Sequence, residues 1–212
     1  LAGRAGLSVD RERFEVLMQQ QREVSGAGAF LDSVMVAGPL DDLRNRVGTT
    51  TFSGYEDIES PATVVGVIAE GELVDMWDQV GDTAVIAVVL DQTPFYGEAG
   101  GQVGDTGVLQ GDSCLFEVTD TQRDGELLLH VGHLRSGSIG PATSLIARID
   151  SDRRSGIRRA HSATHLLHHA LHKVLGSAAM QRGSKVEHDA LRFDFAHKQP
   201  VTDEELRNIE DE

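Results

Sequence analysis

The chain has 212 residues, 34 acidic and 19 basic side chains, a formal charge of −15, and 40% hydrophobic and 25% charged residues, which suits one or two folded domains and excludes wholesale disorder. No run of about 18 apolar residues is present to cross a membrane as a helix, and residues 1–10 lack the basic-then-apolar pattern of a secretory leader. A single cysteine, Cys114, excludes an internal disulfide and a self-contained Cys-rich zinc module, and a reducing, cytoplasmic setting is the simplest expectation.

In chain order, residues 8–25 predict a helix. Phe14, Leu17 and Met18 recur at helical spacing, Asp10 can cap the start, and Gly26 and Gly28 end it. Residues 26–47 show no clear period. From residue 49 to 149 short β-rich runs alternate with turn residues. Runs at 63–69 and 72–77 flank Gly71, and 83–90 is nearly continuous in aliphatic residues. Gly111-Asp112 separates 108–110 from 114–119, and Asp124-Gly125 precedes 127–131 as a hairpin signal. A last run covers 143–149. Six or more short strands over about a hundred residues predict a closed antiparallel barrel or a sandwich.

Beyond residue 153 the pattern is helix, strand, strand, helix. The first helix is expected over 157–175 and the strands over 184–187 and 190–195, and Thr202 with Glu205 forms a capping box for the last helix. The expected fold class is therefore α+β.

Five of the nine histidines fall within twelve residues, His161-Ser-Ala-Thr-His165-Leu-Leu-His168-His169-Ala-Leu-His172. At about 100° per residue, His161, His165, His168 and His172 share one side of a helix, with Leu166, Leu167, Ala170 and Val174 expected opposite as a core-facing stripe. An i, i+4 histidine pair can bind one metal ion. Three pairs fit, 161/165, 165/169 and 168/172, and spacing alone leaves the choice open. Ser162 stands where the zinc-protease motif requires Glu.

Upstream, Pro94-Phe-Tyr-Gly-Glu-Ala-Gly-Gly-Gln-Val-Gly-Asp-Thr-Gly107 packs five glycines into a short loop. It is neither a P-loop nor a dinucleotide fingerprint. Gly100, Gly101, Gly104 and Gly107 allow tight barrel turns or close approach to a neighbouring site. Charge is uneven as well. Residues 148–198 hold ten basic and five acidic groups, net +5, against nine and 29 elsewhere, net −20. The acidic balance opposes a general nucleic-acid coat protein. The basic window is either a solvated face or a polyanion footprint.

The ordered set of motifs resembles the alanyl-tRNA synthetase family. The residues that carry the resemblance are Val9-Asp-Arg-Glu-Arg-Phe-Glu with Leu17-Met-Gln-Gln-Gln-Arg22, Thr51-Phe-Ser-Gly-Tyr-Glu56, Leu90-Asp-Gln-Thr-Pro-Phe-Tyr96, the loop Gly100-Gly-Gln-Val-Gly-Asp-Thr-Gly107, His161-Ser-Ala-Thr-His165-Leu-Leu-His168, and Leu191-Arg-Phe-Asp-Phe195. The resemblance implies that residues 1–47 end a helical tRNA-recognition region, that 48–152 form a linking β-barrel, and that 153–212 open a zinc-dependent editing domain. That domain hydrolyses mischarged Ser-tRNA(Ala) and Gly-tRNA(Ala) in an enzyme that joins alanine to tRNA(Ala) with ATP.

By the same resemblance, His161 and His165 are zinc ligands, and a later Cys-x-x-x-His pair, which has no counterpart in these residues, supplies the rest. The expectation is an internal fragment with an incomplete zinc site, no ATP site and no complete activity. Thr164 resembles a residue that senses a substrate hydroxyl, and Gln181 resembles a polar editing-site residue. Gly100, Gly101, Gln102, Gly104 and Asp105 form the substrate-side loop, and Arg153, Arg154, Arg158 and Arg159 are the candidate tRNA contacts. The partner implied is tRNA(Ala), with no membrane; an oligomeric partner is not readable. Two other readings remain: a free-standing trans-editing deacylase, and a non-catalytic tRNA-docking module.

Overall fold

The structure is a computed structural model that describes Arg13 and residues 37–212. The helix expected over residues 8–25 otherwise lies outside the described residues. Helix α1, Ala37–Val47, occupies the segment whose sequence showed no clear period. Its Leu40 and Leu43 are buried against Ile68, Ala87, Val89, Leu127, Leu129 and Val131. Two leucines three residues apart are too few to register as a stripe, so packing rather than pattern stabilises this helix.

Strand β1, Thr51–Phe52, pairs in parallel with β5, Gln92–Thr93. The barrel uses β2, Glu59–Ala69; β4, Ile86–Leu90; β6, Gly107–Gly111; β7, Cys114–Asp124; β8, Leu127–Gly137; and β9, Ser144–Ile149. A short β3, Glu72–Val74, extends β2 at one end. The order β2-β4-β8-β7-β6-β9 closes through antiparallel pairing of β9 with β2, from Glu59 opposite Arg148 to Thr63 opposite Ser144. Closure removes the unpaired edges that an open sheet would expose.

Two burial patterns follow from this architecture. In β4 every residue is buried. Ile86, Val88 and Leu90 point into the barrel core, while Ala87 and Val89 lie under α1. A strand covered on both faces reads as a continuous apolar run, which is how it appears in the sequence. In β9 exposed and buried residues alternate, because only one face is covered. The β7–β8 hairpin turns at Gly125-Glu126, since Asp124 already pairs with Leu127; the turn sits one residue later than the Asp124-Gly125 signal placed it.

Helix α2, Ser151–Leu175, starts before residue 157 because Asp150 caps it, accepting from the N–H groups of Asp152 and Arg153. The hairpin β10, Gln181–Val186, with β11, Leu191–Phe195, follows, and then α3, Asp203–Asp211. The capping box of Thr202 and Glu205 is formed in both directions. The fold is α+β as expected. No described helix is long and apolar enough to cross a membrane.

The packing of α2 corrects the helical-wheel expectation. Leu166 is 71% exposed, whereas Ile157, Thr164 and Leu171 are buried. These three recur at seven-residue intervals and form the contact stripe, with Ala170 at its edge. The histidines therefore border the packed stripe instead of lying opposite it, with His161 and His165 exposed and His168 half-buried.

Candidate functional site

The histidine helix brings its side chains together in pairs. His161 Nε2 and His165 Nε2 are 3.1 Å apart, and His168 Nε2 and His172 Nε2 are 3.2 Å apart. Two nitrogens bound to one tetrahedral zinc at about 2.0–2.1 Å would stand about 3.3–3.4 Å apart. Both pairs are therefore close to the separation that one ion demands. Among the described residues no third His, Cys, Asp or Glu joins either pair. Cys114 is buried in the barrel core and is no partner for them.

What separates the two pairs is their surroundings. His161 Nδ1 meets Gln102 Oε1 at 2.8 Å. An amide oxygen only accepts, so Nδ1 carries the proton and His161 Nε2 keeps its lone pair. His165 Nε2–H then donates to it. This is the orientation that a metal-binding imidazole requires from its outer partner. His168 lies instead against the ring of Phe193, with centroids 5.3 Å apart.

Gln102 belongs to the glycine loop, which is held against the β10–β11 hairpin. Val186 N–H donates to Gly101 O at 2.8 Å, and Val103 N–H donates to Val186 O at 3.2 Å. Gly101 has φ of +85°, and a Cβ there would stand 2.4 Å from Ser184 O. Only glycine satisfies both the turn and the approach.

Loop, helix and hairpin together enclose a cavity of about 180 Å³. His161, Thr164, His165 and His168 line it from α2, Tyr96, Gly100 and Gln102 from the loop, and Gln181, Ser184 and Phe193 from the hairpin. Thr164 is 8% exposed and its hydroxyl donates to Ala160 O at 2.8 Å. Its oxygen is left as an acceptor. Gln181 Nε2 donates to Ser184 Oγ at 3.1 Å, within β10. A space this small, below the usual range of about 300–1,000 Å³ for drug-sized ligands, takes the end of a molecule.

Other sequence-predicted residues lie elsewhere. Asp105 does not line the cavity. It is 2% exposed and accepts from Arg154 Nε at 2.9 and 3.0 Å through its two oxygens, and from Tyr96 N–H at 2.7 Å. Arg154 also donates to Gly54 O and Pro94 O, each at 2.8 Å. Arg153 Nη1 donates to Gly104 O at 2.6 Å. Of the four candidate tRNA contacts, Arg153 and Arg154 thus bind the barrel, and Arg158 and Arg159 are exposed. Gly104 is part of the anchor as well. Tyr96 and Phe193 were visible as members of motifs but not as cavity walls, and Ser184 carried no sequence signal.

The pattern of the family described as tRNA synthetases class II (A) matches residues 1–153. Among curated proteins, the alanine–tRNA ligase of Nitrobacter winogradskyi is 46% identical over 213 aligned residues, covering 97% of this chain and 23% of the relative. That of Chelativorans sp. is 40% identical, with 97% and 23% covered. That of Synechocystis sp. is 42% identical, with 100% and 24% covered. The chain thus spans about a quarter of the length of the relatives it matches.

Proposed function

The chain belongs to the family of class II tRNA synthetases (A), and from that premise we propose that it serves an alanine–tRNA ligase as one wall of the site that hydrolyses mischarged Ser-tRNA(Ala) and Gly-tRNA(Ala). In this reading residues 1–47 end the tRNA-recognition region, 48–152 form the barrel that carries the glycine loop, and 153–212 begin the editing domain. The observation that carries the reading is the cavity itself. Two imidazole nitrogens close to the separation that one ion demands, a buried hydroxyl acceptor and a carboxamide converge on a space that fits a small aminoacyl end.

His161 and His165 would hold zinc, which supplies Lewis-acid polarisation of a carbonyl or a water of lowered pKa. The protein's own residues do the rest. Gln102 fixes the His161 tautomer. Thr164 Oγ1 accepts from a serine hydroxyl. Gln181, tied to Ser184, presents polar atoms to the ester. Discrimination by hydrolysis has a physical reason, because a pocket for alanine cannot strongly reject glycine or an isostere that adds one hydroxyl.

The ligase activity for which the relatives are named is proposed for the whole protein, with its ATP site outside these residues. The resemblance assigns the remaining zinc ligands to a Cys-x-x-x-His pair outside them. The test compares this chain with the chain extended along its gene, each with and without a chelator, on both mischarged tRNAs. Hydrolysis by the extended protein that is abolished by chelator and by His165→Ala is expected. Hydrolysis unaffected by both changes would overturn the assignment of the histidines.

A further inference from the structure

The motif Thr51-Phe-Ser-Gly-Tyr-Glu56 has no part in the cavity above, yet it builds a second one beside it. After β1 the chain turns at Ser53, whose carbonyl accepts from the N–H groups of Glu56 and Asp57, both at 3.2 Å. Gly54 sits inside this turn. A Cβ there would stand 2.1 Å from Pro94 O and 2.6 Å from the Phe52 ring, and its carbonyl accepts from Arg154 at 2.8 Å. The backbone is therefore clamped at the position that presents Tyr55. The Tyr55 side chain is nonetheless 90% exposed. Its ring meets the Phe52 ring edge-on at 5.0 Å, and Phe52 meets Tyr96 at 6.3 Å. A large aromatic ring left in water on a backbone that is fixed beneath it forgoes burial and leaves its face open to a second ring.

These three rings line a cavity of about 360 Å³ together with Gln102, Arg154, Arg158 and His161. Tyr96, Gln102 and His161 line both this cavity and the smaller one. The two spaces are thus adjacent, with the first imidazole at their boundary. Arg158 is exposed on the larger one.

From this adjacency we infer that the Tyr55–Phe52 platform stacks the 3′-terminal nucleobase of the tRNA while Arg158 meets a neighbouring phosphate; the inference rests on the editing reading above. An amino acid on tRNA is esterified to the ribose of the last nucleoside. With that ester beside His161 and His165, the next ring along the molecule is the base, and the next charge is the phosphate on its 5′ side. An aromatic face followed by a cation is the arrangement that holds single-stranded nucleic acid ends, since every base offers a π-face and every linkage an anion. Tyr55 touches no reacting atom; it is a binding residue for the non-reacting part of the substrate.

The experiment uses an acceptor-stem RNA ending in CCA, with 2-aminopurine in place of the terminal adenine, and a second RNA whose last nucleotide is abasic. Binding to the chain should quench 2-aminopurine. Tyr55→Ala should weaken binding of the base-containing RNA by about 10-fold or more and relieve the quenching, whereas Tyr55→Trp should retain both. On the abasic RNA, Tyr55→Ala should change nothing. Equal losses on both RNAs, no loss on either, or no binding by the chain or its extension along the gene would overturn the inference. The editing reading fails separately, in the ester-hydrolysis assay of His165→Ala. Base-dependent coupling without any hydrolysis would leave the platform standing on a docking module. Hydrolysis without coupling would remove the platform alone.

Discussion

Arg154 and Asp105 form a buried ion pair that joins α2 to the glycine loop, with side-chain exposures of 14% and 2%. The same guanidinium bonds Gly54 and Pro94, so three barrel segments meet on one side chain. Removing one partner of such a pair strands a charge in a dry site, which costs about 3–5 kcal/mol, while replacing both partners by apolar groups costs far less. Arg154→Met should therefore destabilise the protein by about 3 kcal/mol in denaturant unfolding. The double variant Arg154→Met with Asp105→Leu should lose less than the two single losses added together. Additive losses would show that the two side chains act independently.

The inward course of Arg154 also divides the basic cluster by function. Exposed Arg158 and Arg159 remain available to phosphates, and each phosphate contact contributes about one unit to the slope of log affinity against log salt. Arg158→Ala and Arg159→Ala should each flatten that slope for tRNA by about one unit. Arg154→Ala should leave the slope unchanged while lowering stability. A slope that falls with Arg154→Ala and not with Arg158→Ala would reverse this division.

Gln102 sets which nitrogen of His161 is free. Outer partners of metal-binding histidines are worth about 10- to 100-fold in metal affinity. Gln102→Met keeps the side-chain length and removes the acceptor. It should lower zinc affinity within that range in a competition titration, and should mix the His161 tautomers in imidazole ¹⁵N spectra of the metal-free protein. Gln102→Glu, which restores an acceptor, should restore a single tautomer. A tautomer unchanged in Gln102→Met would mean that another group orients the ring.

Much of this arrangement was legible in the sequence, and the unread remainder has physical causes. Strand runs and turn residues marked the barrel because closed antiparallel strands repeat a local pattern. The histidine spacing marked the pairs because a helix is periodic. The partner of each functional side chain was not local. Gln102 and His161 are 59 residues apart, and Arg154 and Asp105 are 49 apart. Neither spacing carries a signal, and an arginine at a helix start reads alike whether it faces solvent or a buried carboxylate. The exposed face of α2 was misjudged for a related reason. Leu166 suggested a core, but the buried residues are those of the neighbouring stripe, Ile157, Thr164 and Leu171.

Thr164 makes a sharper test of substrate choice than the sequence alone allowed. Its proton is committed to Ala160 O at 2.8 Å, so toward a ligand its oxygen can only accept. A serine hydroxyl would donate to it, and glycine has none to offer. Thr164→Val keeps the shape and removes the acceptor. Hydrolysis of Ser-tRNA(Ala) by the extended protein should fall by about 10- to 100-fold, the range of one lost hydrogen bond, and hydrolysis of Gly-tRNA(Ala) should hardly change. Equal losses on both substrates would reassign Thr164 to packing.

His130 makes the barrel sensitive to acid. It is fully buried, and desolvation lowers its pKa to about 4 against the pull of its bond to the Val88 backbone. Its Nδ1–H donates to Val88 O at 2.9 Å, and its Nε2 accepts from the Thr93 hydroxyl at 2.7 Å. Thr93 in turn accepts from Phe95 N–H at 3.2 Å. The neutral ring is thus the one the network needs. An unfolded histidine takes up its proton near pH 6.5 and the folded one only near 4. Between those values the unfolded state binds more protons, so stability falls as the pH drops through the window, and the stabilisation is fully present above about 6.5. The shift corresponds to a loss on the order of 3 kcal/mol across the window. His130→Gln keeps a donor and an acceptor but does not titrate. Denaturant unfolding from pH 7 to pH 4 should show the variant less stable at neutral pH but losing less on acidification, so that the difference between the two proteins narrows. A difference that stays constant across those pH values would show that His130 is not the titrating group.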